Sequence, residues 1–197
     1  MTVKIPPRRR SLYLKTVFLL KDMPDIRGLF PKFIYSDTLN VSDNYNEELK
    51  VEIYRLTKDI KKSGESVTDF FSNSDLINNP VFVPLFSLIR EHAGIFCNNI
   101  GCSKKLRILN AWVSVTYPGQ CHDFHRHGLT DINGVYYVQA NSPMNLMFLN
   151  TGNHLGQQLH NEHLETKKLL LFDGSLVHGF MPDSGTKITI AFNIVLN

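Results

Sequence analysis

An α+β fold, with N-terminal helices packed on one sheet of a double-sheet jelly roll (double-stranded β-helix), is predicted by three observations on the sequence. Apolar residues recur at helical spacing before residue 105 and at alternate positions after it. The later half divides into short strand-like runs at close spacing. Turn dipeptides, Pro118-Gly119 and Asp173-Gly174, punctuate those runs. The 197 residues suit a single domain, with residues 1–104 mainly helical and residues 105–197 carrying the jelly-roll core and any site within it.

Each element has its own justification. Leu49, Ile53, Leu56 and Ile60 follow steps of four, three and four, with Glu and Lys between them, which predicts an amphipathic helix ending near Gly64. Residues 65–79 are rich in Asn, Ser and Asp and predict a connecting loop. A second helix is expected after Pro80, a good first-turn residue, with Leu85, Leu88, Ile89 and Phe96 turned to the core. In residues 106–117 the period is two, and Leu109, Ala111, Val113, Val115 and Tyr117 share a face. Further strands are predicted at 134–138, 145–149 and 168–172, with a polar loop over 150–165. The last, 187–195, alternates cleanly: Ile188, Ile190, Phe192 and Ile194 on one side, Lys187, Thr189, Ala191 and Asn193 on the other.

Composition excludes several classes. Hydrophobic residues at 43% and charged residues at 20% are those of a globular chain, so disordered and fibrous classes fall away. No uncharged apolar run approaches the roughly 20 residues of a membrane helix, and residues 12–20, broken by Lys15, lack a cleavage pattern. A cytoplasmic protein is expected. A net charge of +3 is too small to announce a nucleic-acid binder, and the run Arg8, Arg9, Arg10 reads as a solvated arm. Cys97, Cys102 and Cys121 form no CxxC and predict free thiols. Nothing fixes the oligomeric state, for which a homodimer is the default.

The chemistry is expected from histidine. His125 and His127, two apart, project from one face of an extended segment and can reach one cation at about 2.0–2.2 Å. His178, at the start of a later strand-flanked segment, is the candidate third ligand. Asp123 or Asp131 could replace His127 if the register differs, or the position could be open. Lys187 reads as a strand-edge lysine on its own, and Tyr137 and Tyr117 as aromatics with a hydroxyl at the rim. His154, His160 and His163 are loop residues, solvated or on a lid over substrate, and His122 is near enough to support the site. Neither a phosphate-binding glycine loop nor a nucleophile paired with a base is present.

The segments Ala111-Trp112-Val113, His125-Arg126-His127, Asn133-Gly134-Val135-Tyr136-Tyr137-Val138, Leu171-Phe172, Val177-His178-Gly179 and 187–193 resemble the non-haem iron, 2-oxoglutarate-dependent oxygenases. The likeness is to an uncharacterised microbial and phage branch whose H-x-H precedes Gly-Val-Tyr-Tyr. Tyr117-Pro118-Gly119 also resembles a turn of prolyl hydroxylases. The resemblance covers about half the chain, from Asn110 onward, and only loosely Gly28-Leu29-Phe30-Pro31. It implies an Fe(II) dioxygenase that hydroxylates an unknown small-molecule or peptide substrate with O2, releasing succinate and CO2 from 2-oxoglutarate. It also implies His125, His127 and His178 as metal ligands, and Lys187, Tyr137, Tyr117 and Asn193 around the cosubstrate. His127 stands where the wider superfamily has a carboxylate. Two other readings remain open: a three-histidine cupin-like metalloenzyme that does not use 2-oxoglutarate, and a non-catalytic jelly-roll binding module.

Overall fold

The computed structural model describes residues 31–60, 66–70, 75–140, 144–152 and 158–197. The Arg8–Arg10 run, residues 12–20, Gly28 to Phe30, Gly64 and His154 lie outside them. Residues Lys32–Asn197 form one compact unit.

Two antiparallel sheets and two helices build it. Strands β1 (Ile34–Thr38), β2 (Val67–Thr68), β3 (Leu106–Thr116), β5 (Ile132–Ala140), β8 (Lys168–Asp173) and β10 (Lys187–Leu196) form one sheet in the order β1-β8-β5-β10-β3-β2. Strands β4 (His122–His125), β6 (Asn145–Leu149), β7 (Leu159–His163) and β9 (Val177–Phe180) form the other, in the order β4-β9-β6-β7. Helices α1 (Asp43–Thr57) and α2 (Val83–Asn99) pack on the larger sheet. Among the described residues no helix is long and apolar enough to cross a membrane.

Alternation along β10 explains the layering. Ile188, Ile190, Phe192 and Ile194 are fully buried against Leu49, Ile53, Phe86 and Ile89 of the helices, with the Phe86 and Phe192 rings edge to face. The opposite face points between the sheets, where Tyr137, Leu170 and Phe172 meet Leu146 and Phe148 of the smaller sheet. The buried Asn46 fixes α1 to β5: it donates to the Val138 carbonyl at 2.8 Å and accepts from the Tyr136 hydroxyl at 2.9 Å.

Several sequence expectations need correction. The first helix begins at Asp43, capped by the Ser42 hydroxyl accepting from the Tyr45 N–H, and ends at Thr57, before Ile60. The second begins at Val83, so Pro84 rather than Pro80 occupies the first turn. Residues 65–79 contain β2, and residues 150–165 contain β7, Leu-His-Asn-Glu-His, an edge strand without an apolar alternation to betray it. Leu109 leaves the core face because β3 and β10 are bulged there. Asn110 pairs with Asn193 and Ile108 with Ile194, so Ile108 turns inward and Leu109 stays exposed.

Gly134, in the middle of β5, is fixed by packing. A Cβ there would run into the Phe192 ring and Leu171. Gly134→Ala is expected to cost about 1–3 kcal/mol, the usual range for overpacking a filled core. A lowered urea midpoint with unchanged slope checks it.

Candidate metal centre

Strand pairing brings His125 and His178 together. β4 lies antiparallel to β9 with these two residues as register partners, and their ring centroids are 4.5 Å apart. His127 follows just past the end of β4, its ring stacked 5.1 Å from that of His125 and tilted against that of His178 at 5.2 Å. The ligand atoms of all three lie within 4.8 Å of one another.

Each ring is held by its other nitrogen. His125 Nδ1 is 2.8 Å from the Asp123 carbonyl, His178 Nδ1 is 3.0 Å from the Leu176 carbonyl, and His127 Nδ1 is 2.6 Å from Asn193 Oδ1. Carbonyl and amide oxygens only accept, so Nδ1 donates in every case and Nε2 is the nitrogen left to meet a cation. His125 Nε2 and His127 Nε2 are 3.1 Å apart. Two lone pairs at that distance repel. Two nitrogens bound to one cation at ~2.1 Å and at right angles would be ~3 Å apart, so the donor set fits a divalent transition metal. Burial pushes His178 down to about 3 and His122 down to about 4, with His125 the next contributor for His122, and burial also lowers His127. The imidazoles of His127 and His178 are therefore neutral, as ligands must be.

Neither alternative carboxylate joins them. Asp131 accepts from the Leu196 N–H at 2.8 Å, at the end of the sheet, and the Asp123 side chain is exposed while its carbonyl orients His125. His160 and His163, on β7, are also exposed and outside the cluster.

A narrow cavity of about 80 Å³ runs from the three histidines to Lys187, bordered by Tyr137 and Thr189. Lys187 is 5% exposed, and among the described residues no carboxylate comes within ion-pair distance of it. Its Nζ lies over the Phe180 ring, 2.9 Å from the centroid. Burial pushes its ammonium down to about 7, against a smaller opposing pull from Asp183. Tyr137 is 1% exposed, and burial holds its hydroxyl far above the usual range.

Two residues expected around the cosubstrate, Tyr117 and Asn193, are not among those lining this cavity. Tyr117 shares the face of Val113 and Val115, packs at the edge of the helix-side core, and borders a smaller neighbouring cavity that Lys187 also lines. Asn193 holds His127 and donates through Nδ2 to Asn110 Oδ1 at 2.9 Å, a two-amide support for one ring. Asn193→Ala is expected to weaken nickel binding about 10–100-fold, as loss of such outer partners does. Titration calorimetry of the metal-free protein checks this. Trp112, its ring 5.5 Å from that of His127, and Phe180, stacked on His122, also border the site. Trp112 has a signal in the sequence: it alternates with the core residues Ala111 and Val113 and so faces the histidines.

The sequence matches no protein-family model and no curated protein. Solved structures do resemble the chain. A Pseudomonas putida prolyl-4-hydroxylase superposes with a TM-score of 0.61 at 10% identity, over 83% of this chain and 92% of that one. HygX from Streptomyces hygroscopicus, with nickel, 2-oxoglutarate and hygromycin B bound, gives 0.61 at 13% identity over 92% and 86%. The viral collagen prolyl hydroxylase of Paramecium Bursaria Chlorella virus-1, a 2-oxoglutarate complex, gives 0.59 at 16% over 83% and 95%. At these identities the likeness is one of fold, and the chain has the fold of these enzymes.

Proposed function

We propose that the chain is an Fe(II)- and 2-oxoglutarate-dependent dioxygenase, a single oxygenase domain over residues 1–197 whose two sheets form a double-stranded β-helix around the site. The observation that carries this reading is the pairing of two features in one cavity: three convergent Nε2 atoms at one end and, at the other, a buried lysine with no carboxylate partner among the described residues. A buried cation without a counter-ion is costly, and a dicarboxylate that reaches the metal with one end would supply the missing charge with the other. Neutral imidazoles do not offset the charge of a divalent ion, so the metal end also favours a dianion.

When bound, iron(II) supplies the redox chemistry: R–H + 2-oxoglutarate + O2 gives R–OH + succinate + CO2, one oxygen atom entering substrate and one entering succinate. The protein's part is positional. His125, His127 and His178 would hold the ion through their Nε2 atoms. The Asp123 and Leu176 carbonyls and Asn193 keep Nδ1 protonated and the rings aimed. Lys187 pairs with the remote carboxylate, Tyr137 stays a neutral hydrogen-bond donor because its hydroxyl is buried, and Phe172 and Leu146 help keep the cavity dry.

The test is anaerobic titration of the Fe(II) protein with 2-oxoglutarate. A visible charge-transfer band that saturates, followed by succinate formation on admitting O2, is expected. Metal binding without such a band would favour a three-histidine enzyme that does not use the cosubstrate, and would overturn the proposal.

A further inference from the structure

Two spaces of different character meet at His125 and His127. A wide cleft of about 540 Å³, a volume within the usual range for a ligand site, adjoins the narrow cavity, with Trp112, His122, His125 and His127 lining both. Its wall is aromatic. The Trp112 indole meets the Phe70 ring edge to face at 5.0 Å, and the bulge in β3 turns Leu109 out beside them. Phe70 and Leu109 are nearly half exposed, apolar surface that a ring would cover favourably.

The cleft's charge is one-sided. Arg126, between two of the candidate metal-binding histidines in sequence, lines it, and among the described residues no Asp or Glu does. Among the described residues the Arg126 guanidinium has no ion-pair partner, and it is exposed. An arginine in such a place recognises carboxylate or phosphate by paired N–H donors and repels ammonium groups.

We propose that this cleft binds a small ring-bearing acid. Its flat or apolar ring lies against Trp112 and Phe70, its carboxylate or phosphate pairs with Arg126, and the ring faces the histidines. That this ligand is the substrate to be hydroxylated rests on the function proposed above. That the cleft binds it does not.

The experiment uses the chain's single tryptophan, Trp112, which lines both the cleft and the narrow cavity, so the Arg126 and Phe70 variants assign its emission change to the cleft. The full-length protein, loaded with nickel, is titrated with 3-phenylpropionate and with adenosine 5′-monophosphate, which separate carboxylate from phosphate, and with 3-phenylpropylamine, which reverses the charge. A saturable change is expected for at least one acid, with the amine at least about tenfold weaker. The same acid is expected to bind Arg126→Gln at least about tenfold more weakly, with Arg126→Lys between the two, and Phe70→Ala more weakly than wild type. Equal affinity for acid and amine would overturn the proposal. So would the absence of a saturable response to either acid up to about 10 mM, or unchanged acid binding in Arg126→Gln. Calorimetric titration of the same nickel-loaded wild-type protein with 2-oxoglutarate tests the proposed function separately. Acid binding without 2-oxoglutarate binding leaves the cleft assignment standing and removes the function; the reverse result overturns the cleft assignment only.

Discussion

His178→Ala is expected to lower affinity for Fe(II) or nickel by more than about 100-fold, beyond what loss of a supporting partner costs, and to abolish 2-oxoglutarate-dependent succinate formation. His178 is the proposed ligand from the distant part of the chain, 4% exposed and the most deeply buried of the three. Without it, the remaining pair His125 and His127 comes from one short segment and holds the ion by two nitrogens on one side. The imidazole also fills space, packed 4.8 Å from the Phe172 ring and 6.2 Å from Phe148, so alanine leaves a cavity and a loss of stability of its own. His178→Leu separates the two effects. Leucine keeps most of the volume and has no nitrogen, so the metal-free variant should melt close to wild type while nickel no longer raises the melting temperature. Nickel titration by calorimetry and melting with and without metal check both statements. Retained nickel affinity in His178→Leu would place the third ligand elsewhere.

The convergence of His125, His127 and His178 is legible in the sequence because a shared ion would constrain residue type and spacing at once. Two histidines two apart share a face of extended chain, and the one face of β10 that is polar has to point away from the helices. That alternation by itself puts Lys187, Thr189 and Asn193 on the cavity side. The parts that stay hidden are those set by backbone pairing. β1 has two apolar residues at its start and β7 one, and both are held by their ladders to β8 and β6. The bulge opposite Asn193 shifts register in a way no hydrophobic period reports, and it decides that Leu109 borders the wide cleft rather than the core. Asn193 is expected beside the cosubstrate for its place on the β10 face. Only the position of His127, beyond the end of β4, shows that its amide is committed to that ring.

Lys187→Met is expected to make the metal-free protein more stable while weakening 2-oxoglutarate binding upward of about 30-fold, the lower end of the cost of truncating one partner of a buried charge pair. Methionine matches the length of the stem and needs no solvation, so at neutral pH a gain of about 1–4 kcal/mol is expected, as when buried charges give way to apolar side chains. The sign with pH follows from the lysine's shift. Burial holds the folded group at about 7 against 10.5 when it is exposed, so between these values the unfolded chain binds a proton that the folded chain does not. Stability of the wild type therefore rises with pH across that window. The advantage of the methionine variant is largest at pH 7 and below and shrinks toward pH 10.5. Cosubstrate binding runs the other way. It needs the charged amine, so affinity should fall by about tenfold per pH unit above the folded value, with a proton taken up from buffer on binding. Lys187→Arg keeps a charge that does not titrate in this range and should remove that pH dependence even if the longer guanidinium fits less well. Melting curves of the three proteins from pH 6 to 10, with calorimetry in buffers of different ionisation enthalpy, decide the matter. A methionine variant less stable than wild type at neutral pH would mean that the amine is compensated in the fold and is not waiting for a dicarboxylate.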